Sequence, residues 1–128
     1  MTYAAPVSSA ETQPAPLDPE DEKLVVLARS ARARTGATEG AAVRDETGRT
    51  YAATTVALPS LRLTALQAAV AAAVASGASR LEAAAVVTTV GHVAEDDLAV
   101  VRDLRAVALH RAGPDGTVQE TLAPTPGS

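Results

Sequence analysis

The chain has no cysteine, no phenylalanine and no tryptophan, and Lys23 is its single lysine. Without cysteine there are no disulfides, no thiolate metal ligands and no cysteine nucleophile. The only aromatic residues are Tyr3 and Tyr51, so the stacking surfaces that single-strand nucleic-acid binders use are missing. A formal net charge of −4 and a pI near 5.1 give no basic footprint for a nucleic acid. The N-terminus has neither a basic start nor an apolar run, so no signal peptide is expected. The most apolar segment, Leu63 to Ala75, is too short to span a bilayer and is interrupted by Gln67. These absences predict a soluble cytoplasmic protein without nucleic-acid or membrane partners.

Hydrophobic residues make up 47% of the 128, enough for one small folded domain. The core must be built from leucine, valine and alanine, which bury little area per residue. Burial between subunits is therefore expected to supplement it, and a homo-oligomer is predicted.

Met1 to Leu17 is rich in proline, serine and alanine without periodicity and reads as a disordered tail. Helix signals follow at once. Asp18 suits the N-cap, Pro19 the first helical position, and Glu20, Asp21 and Glu22 the positive end of the dipole. Leu24, Leu27, Ala28 and Ala31 form one face of this helix. Arg29, Arg32 and Arg34 gather before Gly36; they read either as cations favouring a helix C-terminus or as an anion site, and the first is the simpler.

Gly40 to Val43 and Thr50 to Val56 read as strands around a turn at Asp45-Glu46-Thr47-Gly48. Leu58-Pro59-Ser60 then interrupts the ladder, because proline cannot donate to it. A central helix is predicted from Leu63 to Ser76, closed by Gly77. Leu63, Leu66, Val70, Ala73 and Val74 line one side of it, and Ala65, Ala68, Ala69, Ala72 and Ala75 much of the rest. A helix apolar nearly all round is covered on more than one side. A sheet is expected on the leucine–valine side, and a second helix or subunit on the alanine side.

Leu81 to Thr88 reads as a buried strand and Ala94 to Arg105 as a third helix with Leu98, Val101 and Leu104 inward. Val107 to His110 and Thr117 to Leu122 form a closing hairpin, and Ala123 to Ser128 a tail. The expected fold is α/β and three-layered, with a mixed five-stranded sheet flanked by helices. Its domain would run over residues 18–122.

That element order, together with GAAVRDETGRTYAATTV from Gly40 to Val56, resembles the cytidine deaminase family. The likeness spans roughly Asp18 to Leu122 and is specific from Gly40 to Gly77. It implies a zinc hydrolase: a His or Cys ligand and a Glu two residues apart at one helix start, and a Pro-Cys-x-x-Cys pair at the next. Zinc acidifies a bound water and the Glu moves protons as hydroxide attacks the pyrimidine ring. Position by position, Thr64 falls where the first ligand belongs and Leu66 where the Glu belongs. Ala94 and Asp97 fall where the two cysteines belong, and Thr55, Ala57 and Leu58 lie in the run that would hold the nucleoside ribose.

None of these side chains supplies the family's chemistry, so no catalytic residue, no zinc and no other cofactor is expected. Leu66 is expected to fill the space that metal and substrate occupy in the family. His92 with Glu95, Asp96 and Asp97 would be an alternative metal set; acids stabilising a helix start beside a surface histidine explain them more simply. His110 reads as a structural or surface histidine and Thr64 as a helix-start residue whose hydroxyl satisfies backbone donors. Ser60 and Thr64 have no general base placed beside them by spacing. The leading expectation is an inactive deaminase-like protein acting as an oligomeric scaffold or partner-binding subunit through its Ala-rich central helix. A true nucleoside deaminase is the second, and a small-molecule binding module with Arg62 as first contact is the third.

Overall fold

The computed structural model describes residues 17–124; the segments 1–16 and 125–128, expected as tails, lie outside the described residues. Three helices, α1 (Pro19–Thr35), α2 (Ala65–Ala75) and α3 (Glu95–Asp103), pack on strands β1 (Gly40–Asp45), β2 (Thr50–Thr54), β5 (Leu81–Val87), β6 (Ala108–Ala112) and β7 (Val118–Leu122). The sheet order is β2-β1-β5-β6-β7, with β5 and β6 parallel and the other neighbours antiparallel. A separate hairpin, β3 (Val56–Leu58) with β4 (Leu61–Leu63), precedes α2.

Alternation along the strands sorts the core into two layers. Ala41, Val43, Ala84, Val86 and Leu109 face α2 and α3, where they meet Leu66, Val70 and Val101. Ala42, Ala83, Ala85, Val87 and Ala112 face the opposite way, onto Leu24, Val25 and Ala28 of α1. Leu17, expected in the tail, packs on this second layer.

Asp18 caps α1 by accepting from the Glu20 N–H at 2.8 Å, and Gly36 ends the helix at φ 68°. A polar chain then pins α1 to the sheet. Asp21 Oδ1 accepts from Arg44 Nη2 at 2.9 Å, and Arg44 Nε donates to Glu82 at 2.8 Å. Asp21 Oδ2 lies 2.8 Å from His110 Nε2, whose Nδ1 is 2.9 Å from the Thr121 hydroxyl. Burial pushes the Asp21 carboxyl up, but the bonds to His110 and Arg44 outweigh it and hold the group below the ordinary carboxylate value. Of the two readings of His110, structural or surface, its burial leaves the structural one. The arginine group of α1 does not converge on an anion site: Arg29 donates to the Pro114 carbonyl and Arg32 to that of Thr38.

Several boundaries differ from the sequence reading, and the strands β1 and β6 run on to Asp45 and Ala112. The second strand ends at Thr54 rather than Val56, because Thr55 leaves the ladder and Pro59-Ser60 reverses the chain into the β3–β4 hairpin. The central helix starts at Ala65, since Leu63 is still paired with Val56 and Thr64 is its N-cap. The third helix ends at Asp103, where Leu104 caps it and Arg105 turns to φ 54°. Val107 lies before β6 and is exposed.

The sides of α2 do not divide by residue type as expected. Its buried stripe mixes both sets, Ala65, Leu66, Ala69, Val70 and Ala73, over β1 and β2. Leu63, Val70 and Val74 instead border a groove of about 410 Å³ shared with Val100 and Leu104, so the neighbouring helix α3 lies on the leucine–valine side. Alanine allows close approach to a sheet as readily as to a helix, and periodicity cannot tell these partners apart.

Close approach is most severe at Gly40, where β1 runs under α1. A Cβ there would lie 2.1 Å from the Ala28 carbonyl oxygen and 2.9 Å from Arg32 Cβ. Since the obstacle is helix backbone, Gly40→Ala is expected to cost about 3 kcal/mol or more. Urea unfolding checks this, and an unchanged midpoint would contradict the packing described.

Candidate functional site

The residues at the matching family positions come from three elements, and the fold brings two of them into contact. Thr64 begins α2 with a full capping box: its hydroxyl accepts from the Gln67 N–H at 3.0 Å, and Gln67 Oε1 accepts from the Thr64 N–H at 2.9 Å. The same hydroxyl donates its proton to Asp97 Oδ1 of α3 at 2.6 Å. Thr64 thus satisfies backbone donors, as expected, and also ties the start of α2 to the start of α3.

Asp97 is not simply one more acid at a helix start. Glu95 and Asp96 are exposed, whereas Asp97 is only 3% exposed. Burial pushes its carboxyl above the ordinary carboxylate value; the Thr64 hydroxyl pulls the other way, and the charges of Glu39 and Asp96 push it further up.

The other positions separate. Leu66 is fully buried among the α2–α3 core residues. Ala94 is the N-cap residue of α3 and makes no side-chain cap bond. Thr55 and Ala57 line an open cavity of about 390 Å³, which also touches Thr64 and Arg62. Leu58 is 54% exposed and outside it. The Thr55 hydroxyl oxygen is buried with no hydrogen-bond partner. His92 is exposed in the loop before α3.

Glu39, Gln67 and Asp96 also line the cavity and were not singled out as cavity residues by the sequence. Glu39 arrives there because β1 and β2 pair antiparallel, which sets the Thr55 N–H 3.3 Å from the Glu39 carbonyl. The hairpin turn at Asp45–Gly48 fixes that register, but which other elements close the cavity beside Glu39 has no local signal. Gln67 did carry a signal, its spacing of three from Thr64 in a capping box.

Residues 17–116 match the family model described as cytidine deaminase-like. Solved structures agree in fold. Cytidine deaminase from Burkholderia pseudomallei superposes with a TM-score of 0.64 at 21% identity, over 80% of this chain and 91% of that one. Cytidine deaminase from Mycobacterium tuberculosis gives 0.62 at 25% identity, over 80% and 91%. That from Mycobacterium leprae gives 0.55 at 22%, over 80% and 93%. No curated protein matches the chain significantly. The fold is that of a three-layer α/β deaminase. The chain belongs to the cytidine deaminase-like family.

The zinc that the family implies does not fit the side chains present. At the matching positions stand a hydroxyl whose proton is committed to Asp97, a methyl group that offers no donor atom, and one carboxylate. Among the described residues no three His, Cys, Asp or Glu side chains gather as metal ligands.

Two outcomes follow from the Thr64–Asp97 pair. Thr64→Ala removes the cap and leaves a buried carboxylate without its donor, at an expected cost of about 1–3 kcal/mol. Asp97→Asn keeps an acceptor for Thr64 and removes the buried charge. Because the folded-state pKa of Asp97 lies above its unfolded value of 3.8, the native state holds more protons between the two, and stability falls as pH rises through that window. Asp97→Asn should therefore be more stable than the parent at pH 7, with the gain vanishing near pH 4. Urea midpoints at both values read this out; a gain that stays constant with pH would contradict it.

Proposed function

We propose that this chain is a non-catalytic member of its family and serves as an oligomeric, partner-binding subunit. The observation that carries the reading is the hydrogen bond from Thr64 to Asp97. It occupies, with a neutral hydroxyl and a buried carboxylate, two positions where deamination needs zinc ligands. Leu66, where the proton-transferring Glu belongs, is packed into the core and has no proton to give.

Support for assembly is physical. The core has no phenylalanine or tryptophan. Val74, at 49% exposure, lies beside the apolar α2–α3 groove, and Leu58 and Leu61 are exposed on the neighbouring hairpin. A second copy covering Ala71 and Val74 of the Ala-rich helix would remove this surface from water.

A second reading is favoured by one specific feature, the open cavity at the mouth of α2. On that reading the protein is a small-molecule binding module without turnover.

The purified full chain, incubated with zinc and cytidine, is expected to release no ammonia above a protein-free control, and to run as a dimer or larger species in light scattering at micromolar concentration. Measurable zinc-dependent deamination would restore the enzyme reading. A monomer would end the oligomer reading while leaving the binding module.

A further inference from the structure

The cavity's charges are of both signs and come from separate elements. Glu39 precedes β1, Asp96 opens α3, and Arg62 lies in β4 of the small hairpin. Among the described residues no ion pair engages Glu39, Asp96 or Arg62, although five pairs form elsewhere. Glu39 and Asp96 act on one spot, since both charges reach the Asp97 carboxyl. The acidic end therefore lies beside Asp97, and Arg62, on the same cavity wall, is beyond ion-pair distance of either carboxylate.

This arrangement selects against simple ions. An anion drawn to Arg62 meets the two carboxylates, and a cation drawn to the carboxylates meets Arg62. A molecule carrying both charges satisfies all three groups, and about 390 Å³ suits a small ligand.

We propose that the cavity binds a small zwitterion, its ammonium group held by Glu39 and Asp96 and its carboxylate by Arg62. The proposal rests on the binding-module reading and goes beyond it by naming the ligand class. Recognition is by paired charges, with Val56 and Leu63 as the apolar wall. It requires neither a metal nor a reaction.

The test is calorimetric titration of the full chain with γ-aminobutyrate and δ-aminovalerate, beside butylamine, butyrate and cytidine. At least one amino acid should bind, with butylamine and butyrate at least tenfold weaker. Arg62→Gln and Glu39→Gln should each weaken the amino acid at least tenfold; Arg62 is exposed and Glu39 half-buried, and circular dichroism verifies that both variants fold. Equal binding by a singly charged probe, or unchanged affinity in Arg62→Gln, overturns the proposal. Binding of cytidine alone overturns it while the binding-module reading survives. Silence across the whole panel ends both.

Discussion

The hydrogen bond between Thr64 and Asp97 is the constraint around which this half of the molecule is arranged. It joins the first residues of two helices that belong to different parts of the chain, 33 residues apart in sequence. By fixing the start of α2 it sets the rotation of that helix, which sends Leu66 into the core and leaves Gln67 to complete the cap. By drawing Asp97 inward it separates one acid of α3 from its exposed neighbours Glu95 and Asp96. In the family, metal ligands join the same two helix starts. Here a hydrogen bond donated by a hydroxyl to a carboxylate does the joining.

The opposite face of the sheet is held differently. There the strands offer mostly alanine to α1, and side-chain volume is too small to orient the helix by packing alone. The chain from Thr121 through His110, Asp21 and Arg44 to Glu82 supplies the orientation, with directional bonds between 2.8 and 2.9 Å. Gly40 supplies the proximity. Buried ion pairs of this kind contribute little net stability relative to apolar packing, but removing one partner is costly, so they specify one arrangement.

Much of the fold was legible because its signals are local. Asp18-Pro19, the acidic first turn and Gly36 mark both ends of α1. The turn at Asp45 was readable from its residue types, and its aspartate proves buried, accepting from the Thr47 amide and hydroxyl and from the Arg49 amide. What periodicity did not carry was the extra hairpin after Thr54: of its strand residues, Val56 was read as the end of the preceding strand, Leu58 as part of a break, and Leu63 as the start of the helix. The site was half legible. The residue types at Thr64, Leu66 and Ala94 already showed that the family's metal ligands and proton-transferring Glu do not stand at these positions, since that is a matter of which atoms are present. That Asp97 turns inward, and that Glu39 joins the cavity wall, depend on how α3 and β1 are placed in space, and nothing near those residues in sequence announces it.

The most direct measurement is a double-mutant cycle on Thr64→Val and Asp97→Ala, read by urea unfolding of the parent, both single variants and the pair. If the hydroxyl–carboxylate bond joins the two helix starts, the singles are non-additive with a coupling of about 1 kcal/mol or more. Strict additivity would mean that the two helices are held together by something else, and the account of this site would fall with it.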